Sequence, residues 1–148
     1  MIFIKIPKIQ ENNIQLYIGD ANASMNKDIL KENNVTHIIN CAIGIPCFFK
    51  SEFEYIELFL NDEFDDILKH KAKIVSIVEK CKIQNGNLFV HCAFGKSRSA
   101  AIICLILMLE NNVSFDNAHS YLSKIHNEMD INPFYIKTLQ KFSNVNHT

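Results

Sequence analysis

Leu88-Phe89-Val90-His91-Cys92-Ala93-Phe94-Gly95-Lys96-Ser97-Arg98-Ser99-Ala100 is the segment from which the rest of the chain is best approached. Its first three residues are bulky and apolar, the pattern of a short strand buried on both faces. Ser99–Glu110 is apolar nearly all round, which predicts a helix in the middle of a domain rather than on its surface. A loop that leaves the C-terminal end of a strand and opens a helix aims several backbone N–H groups at one point, and the helix dipole adds partial positive charge there. Gly95 permits close backbone approach or a positive φ, and Arg98 supplies a planar fork of donors matched to two phosphate oxygens. The segment therefore predicts an anion site built from Cys92, Ala93, Phe94, Gly95, Lys96, Ser97 and Arg98. Phe94 is expected to wall the pocket and Lys96 to add charge at its rim or point to solvent.

Cys92 stands at the mouth of that cradle. The amides, the dipole and the guanidinium that would hold a phosphate also favour a thiolate over a thiol. A thiolate held beneath a bound phosphate is placed for in-line attack on phosphorus, with the equatorial oxygens of the transition state held by the loop amides and Arg98. The pattern implies a cysteinyl-phosphate intermediate, with no metal or other cofactor required.

The surrounding chain fits one globular domain. It has 148 residues, 48% of them hydrophobic and 21% charged, with a formal net charge of −1. That is ample for a core and argues against a general nucleic-acid binder. The longest apolar run, Ala100–Leu109, is too short to cross a bilayer, so no membrane insertion is expected. The N-terminal residues lack the features of a secretion signal, and a cytoplasmic location, with the nucleus also open to it, is expected. The five cysteines, Cys41, Cys47, Cys81, Cys92 and Cys104, have no ligand or CxxC spacing and read as reduced thiols, mostly buried. No repeat, linker or low-complexity tract divides residues 1–148, and the polar tail from Ser143 to Thr148 is expected to fray.

Strands are predicted over Ile2–Ile6, Gln15–Ile18, Val35–Cys41 and Phe53–Leu60, and a short helix over Asn26–Asn33. Apolar residues at Ile67, Leu68, Ile74, Val75, Val78 and Cys81 predict a helix from Asp65 to Lys82, with Asp65 and Asp66 as acids at its start. Asn85-Gly86-Asn87 reads as a turn. Ser114 caps a helix to Asn127, and Asn132-Pro133 opens another. Strands alternating with helices give an α/β fold, a central sheet covered by helices.

The stretch from His91 to Ala100 resembles the HCxxGxxRS signature of the cysteine-based protein tyrosine phosphatase superfamily, and its SRSA ending is similar to the dual-specificity branch. Leu16–Asp20, Thr36–Asn40 and Ile131 through Leu139 are similar to other stations of that family in the same order. The resemblance implies a mostly parallel mixed sheet flanked by helices, and hydrolysis of phosphate from protein Tyr and Ser/Thr. It also implies a general acid, an Asp before the nucleophile on a mobile loop. Asp62, thirty positions before Cys92, is chosen over Asp65 and Asp66. The resemblance further implies that Ser99 offers its hydroxyl to the thiolate and that His91 orients the loop through hydrogen bonds without acting as acid or base. Asn40 corresponds to a residue that hydrogen-bonds the catalytic loop, and its other reading is a strand-end turn residue. In some relatives a second cysteine pairs with the nucleophile. Cys41 and Cys47 are the candidates here, although a buried structural thiol is the preferred reading of both.

Phosphorylated proteins are the expected partners, and the resemblance implies that a recognition segment as brief as the one before Leu16 leaves a shallow pocket open to phosphoserine as well as phosphotyrosine. One rival is a phosphoinositide or RNA 5′-triphosphate phosphatase, disfavoured because Lys96 is the only cation between Cys92 and Arg98. The other is a phosphoresidue-binding module without turnover, disfavoured because cysteine, arginine and acid are all present. The oligomeric state is left open.

Overall fold

The computed structural model describes residues 1–146, the last of them by its backbone alone. Five strands form one sheet: β1 (Phe3–Ile6), β2 (Gln15–Gly19), β3 (Val35–Asn40), β4 (Glu54–Glu57) and β5 (Asn87–His91), in the order β1-β2-β5-β3-β4. β1 pairs antiparallel with β2, and all the other pairings are parallel. This is the expected mostly parallel mixed sheet. The helices are α1 (Ala21–Ser24), α2 (Lys27–Glu32), α3 (Lys71–Ile83), α4 (Arg98–Asn111), α5 (Phe115–Ile125) and α6 (Pro133–Asn146), with a 3-10 turn over Ile67–His70 ahead of α3.

β5 lies at the centre, and Leu88, Phe89 and Val90 are completely buried. Because successive side chains of a strand point to opposite faces, β5 feeds two cores. Leu88 and Val90 join Leu16 and Ile18 of β2 in the larger core beneath α3–α6, while Phe89 joins Tyr17, Leu30 and Ile38 on the face covered by α1 and α2. α4 is buried along nearly its whole length, as its unbroken apolar sequence requires. Among the described residues no helix is long and apolar enough to cross a membrane.

Several boundaries differ from the sequence reading, each for a local reason. The strand expected over Phe53–Leu60 stops at Glu57, because Phe59 adopts a positive φ of 50° that breaks the extended run. The helix expected from Asp65 begins at Ile67 as a 3-10 turn capped by Asp66, whose Oδ1 accepts from the Leu68 amide at 3.0 Å. The turn read over Asn85-Gly86-Asn87 yields Asn87 to β5, with Asn85 in the left-handed region at φ 53°. α5 is capped by Ser114 as expected but ends at Ile125, because His126 turns away towards the Cys92 loop. The segment from Ser143, expected to fray, is helical as far as Asn146. Ser143 itself is buried, and its hydroxyl accepts from the Phe115 amide at 3.0 Å. Thr148 and residue 147 lie outside the described residues.

Since β2, β3, β4 and β5 run parallel, their C-terminal ends share one edge of the sheet. Ligands of open α/β sheets bind outside that edge. Leu105 of α4 is completely buried in the core that supports it. Leu105→Ala is expected to cost about 2–5 kcal/mol through lost burial and a residual cavity, read as a lower urea midpoint at an unchanged m-value.

Candidate active site

Cys92 follows directly on β5, and its amide donates to the Gly19 carbonyl at the end of β2 at 3.4 Å. The chain then turns through residues 93–97 into α4. The backbone of this loop is held from outside. The Ala93 carbonyl accepts from the Ala21 amide at 3.1 Å, and the Lys96 carbonyl accepts from the Asp130 amide at 2.8 Å. The Gly95 carbonyl lies 2.8 Å from Nε2 of the buried His126. The Ser97 hydroxyl accepts from the Asn132 amide at 2.9 Å. With the carbonyls bonded outward, the amides of Phe94, Lys96 and Ser97 are without a partner among the described residues, and Arg98 opens α4, where no intrahelical partner exists.

The Gly95 amide donates to Cys92 Sγ at 3.2 Å, and Ser99 Oγ lies 3.1 Å from the same sulfur. Gly95 is at φ 74°, and a Cβ there would stand 3.0 Å from the Gly19 carbonyl group, so both conformation and space require glycine. Cys92 and Ser99 are buried. The Arg98 guanidinium donates through Nη1 to the Leu60 carbonyl at 3.2 Å, and its buried Nε has no partner. The structure thus brings Cys92, Gly95, Ser97, Arg98 and Ser99 together as expected. Phe94 and Lys96 stand outside the cup. Phe94, expected as a pocket wall, projects into solvent at the rim, and Lys96 is exposed.

His91 requires a correction. It is fully buried and stacks on Phe89 with ring centroids 5.4 Å apart, yet neither ring nitrogen makes a hydrogen bond. It fills the core beneath the loop, and the histidine bonded to the loop is His126. Burial pulls the His91 pKa down to about 4, against opposing pulls from the Cys92 backbone and the Asp20 carboxylate, so its ring is neutral near pH 7. Asn40 also departs from the expected role. Its Nδ2 donates to the Ile45 carbonyl at 2.7 Å and its Oδ1 accepts from the Ala42 amide at 3.0 Å. It therefore shapes the connection after β3, the strand-end turn reading, and among the described residues its side chain makes no hydrogen bond to the catalytic loop.

The three acids after β4 are distinguished by their partners. The Asp65 carboxylate accepts from the Asn61 amide at 3.2 Å and pairs with Lys69 at 2.7 Å. That ammonium, with the amide, holds its pKa below the ordinary value against partial burial. Asp66 is a cap. The Asp62 carboxylate is exposed and unpaired among the described residues, while its backbone is gripped from α6. Asn132 Nδ2 donates to the Asp62 carbonyl and the Tyr135 hydroxyl to the Asn61 carbonyl. Burial, and then the charges of Asp62 and Asp65, raise the Tyr135 pKa, which keeps that hydroxyl a donor. The side chains of His126, Asn132 and Tyr135 were not singled out from sequence. Asn132 and Tyr135 fall in the Ile131–Leu139 stretch that resembles the family, and Asn132 also opens a helix before Pro133, but His126 carries no local pattern.

The five cysteines are free. Burial pushes Cys81 up to about 11 and Cys104 up to about 12. Cys41 is raised well above its ordinary value by burial and then by the charge of Cys92, with Arg98 opposing. Cys47, half-buried, sits 3.7 Å from Asn40 Nδ2. Among the described residues no group of three or more His, Cys, Asp or Glu converges as a metal site would need.

The chain belongs to the family described as dual specificity phosphatase, catalytic domain, which matches residues 16–145. Protein-tyrosine-phosphatase MKP1 of Arabidopsis thaliana is 37% identical over 120 residues, 79% of this chain and 15% of that protein. Dual specificity protein phosphatase 19 of Mus musculus is 30% identical over 128 residues, 86% of this chain and 58% of that protein. The chain thus spans less than two thirds of the length of these two relatives. The crystal structure of human DUSP28 shares the fold, with a TM-score of 0.85 at 21% identity over 99% of this chain and 95% of that chain.

Because the unfolded state takes up a proton near pH 6.5 that buried His91 resists until about 4, folding stability is fully present above that window and falls as pH drops through it. The loss approaches about 3 kcal/mol. Urea midpoints measured from pH 7 to 4 should show this slope, and His91→Asn should flatten it.

Proposed function

We propose that this domain hydrolyses phosphate monoesters on protein Tyr and Ser/Thr residues through a phosphocysteine at Cys92. The observation that carries the proposal is the sulfur of Cys92, buried at the foot of a loop whose Ala93, Gly95 and Lys96 carbonyls are bonded outward and whose Gly95 amide points to it at 3.2 Å. In the first step the thiolate attacks phosphorus while the P–O bond to the side chain breaks, with the phosphoryl oxygens held by the free loop amides and Arg98. The departing oxygen takes its proton from Asp62. Asp62 suits that role because Asp65 and Asp66 are committed to other partners, and because Asn132 steadies its backbone while leaving its carboxylate free. In the second step Asp62 takes a proton from water as that water attacks the phosphocysteine, and the S–P bond breaks. Ser99, 3.1 Å from the sulfur, donates its hydroxyl to the returning thiolate.

His91 has no proton-transfer role in this scheme, consistent with a buried neutral ring. A reducing setting, cytoplasm or nucleus, belongs to the same proposal, since its chemistry needs a free thiol. Phosphoproteins are preferred over phosphoinositides or 5′-triphosphorylated RNA because polyanionic substrates would call for more cations than Lys96 and Arg98 provide.

On an aryl phosphate, Cys92→Ser should abolish turnover. Asp62→Asn should lower kcat by about 10²–10⁴ on poor leaving groups and remove the limb of the pH profile that reports the acid, whereas Asp65→Asn should act mainly through loop geometry and leave that limb in place. A wild-type profile for Asp62→Asn would contradict the assignment.

A further inference from the structure

Four phenylalanine rings that the fold leaves in solvent belong to the Cys92 loop or to segments that hydrogen bonds link to it: Phe59, 57% exposed, Phe64, 65%, Phe94, 74%, and Phe134, 41%. Hydrogen bonds tie the segments that carry them to one another. Phe59 precedes Leu60, whose carbonyl accepts from Arg98 Nη1 at 3.2 Å. Phe64 lies two residues after Asp62, whose carbonyl accepts from Asn132 Nδ2. The Phe134 amide donates to Asn132 Oδ1 at 2.8 Å, and the Asn132 amide reaches Ser97 Oγ. Phe94 belongs to the loop itself.

Phe59 carries the argument furthest. A positive φ is uncommon for any side-chain-bearing residue and rarer for a bulky one, and such outliers gather at functional sites. Both neighbours are buried and anchored, the Leu58 amide on the Asn40 carbonyl at 3.0 Å and the Leu60 amide on the Cys41 carbonyl at 2.9 Å. The irregular backbone therefore falls on Phe59, and its ring is left outside the core. One exposed ring by itself calls for no cover, but four on segments linked to one site offer apolar surface that suits a partner.

Charge narrows what that is. The same segments carry exposed carboxylates at Asp62, Glu63 and Asp66, and Asp130 is bonded through its amide to Lys96, the cation of the loop. Apolar rings among carboxylates suit apolar neighbours and repel acidic ones. An anionic membrane surface is disfavoured for the same reason.

We propose that these four rings select the residues flanking the phosphoresidue, and that the substrates are phosphoprotein segments with apolar or aromatic side chains, and no acidic ones, beside it. This rests on the phosphatase reading above and narrows its substrate class.

The test uses three phosphotyrosine peptides alike except for their flanking residues, which are Leu and Phe, Gly and Ser, or Asp and Glu. Wild type and the double variant Phe64→Ser/Phe134→Ser are compared on each, with an aryl phosphate as control. The expected kcat/KM is highest for the Leu/Phe peptide, roughly 10-fold above the Gly/Ser peptide, and lowest for the Asp/Glu peptide. The double variant should lose most of that preference while its kcat/KM on the aryl phosphate stays within about twofold of wild type. Kd values for the same peptides on Cys92→Ser give the ranking independently of turnover, so loss of activity alone counts against the phosphatase reading and a flat ranking counts against this one. Equal values for the three peptides, or a preference that survives in the double variant, would overturn the proposal. So would a flat ranking accompanied by ring-dependent co-sedimentation with lipid vesicles, which would assign the rings to a membrane.

Discussion

A loop can offer its amides to an anion only if its carbonyls are satisfied somewhere else, because a buried carbonyl without a partner is costly and a carbonyl turned inward would repel a phosphate. Everything around Cys92 follows from that constraint. The start of α1 bonds Ala93, the residue after α5 bonds Gly95, and the strand-free segment before α6 bonds Lys96 and Ser97. Three separate parts of the chain are thus spent on facing one short loop outward, and the sheet beneath them sets where that loop begins. The polar groups that would bind a transition state are therefore in place before any substrate arrives, which is the condition under which electrostatic stabilisation is most effective.

The acid and the loop are joined through the same few residues. Asn132 uses its amide on Ser97, and its side chain reaches both the Asp62 carbonyl and the Phe134 amide. Tyr135, on the first turn of α6, takes the neighbouring Asn61 carbonyl. The beginning of α6 is thereby a clamp across two loops, one leaving the central strand β5 and the other following the edge strand β4. Arg98 completes the tie by bonding Leu60. Displacement of the Asp62 segment would accordingly be felt at the arginine that binds the phosphoryl group.

The parts that were legible in the sequence are those written by neighbours along the chain. A buried strand, a glycine loop and an apolar helix occupy consecutive residues from Leu88 to Glu110, so periodicity and turn chemistry define the nucleophile loop without tertiary information. The Asp66 and Ser114 caps are local in the same sense. What stayed hidden depends on pairing between distant segments. The position of β5 between β2 and β3 is set by packing on both faces, which no strand pattern orders. His126 meets Gly95 across thirty-one positions, and a histidine at a helix end carries no mark of that contact. His91 and Asn40 illustrate the reverse case. The family resemblance implies hydrogen bonds from both to the catalytic loop, yet the His91 ring stacks on Phe89 and Asn40 closes its own turn. Phe59 was hidden inside an alternating pattern that reads as strand, since nothing in that alternation signals a positive φ.

Acid quenching during steady-state turnover of an aryl phosphate, followed by peptide mass spectrometry, addresses the chemistry at its centre. One phosphoryl group is predicted on Cys92, more abundant in Ser99→Ala, where release from sulfur is slowed, and missing from Cys92→Ser. Phosphate recovered on another residue, or sustained turnover by Cys92→Ser, would contradict it.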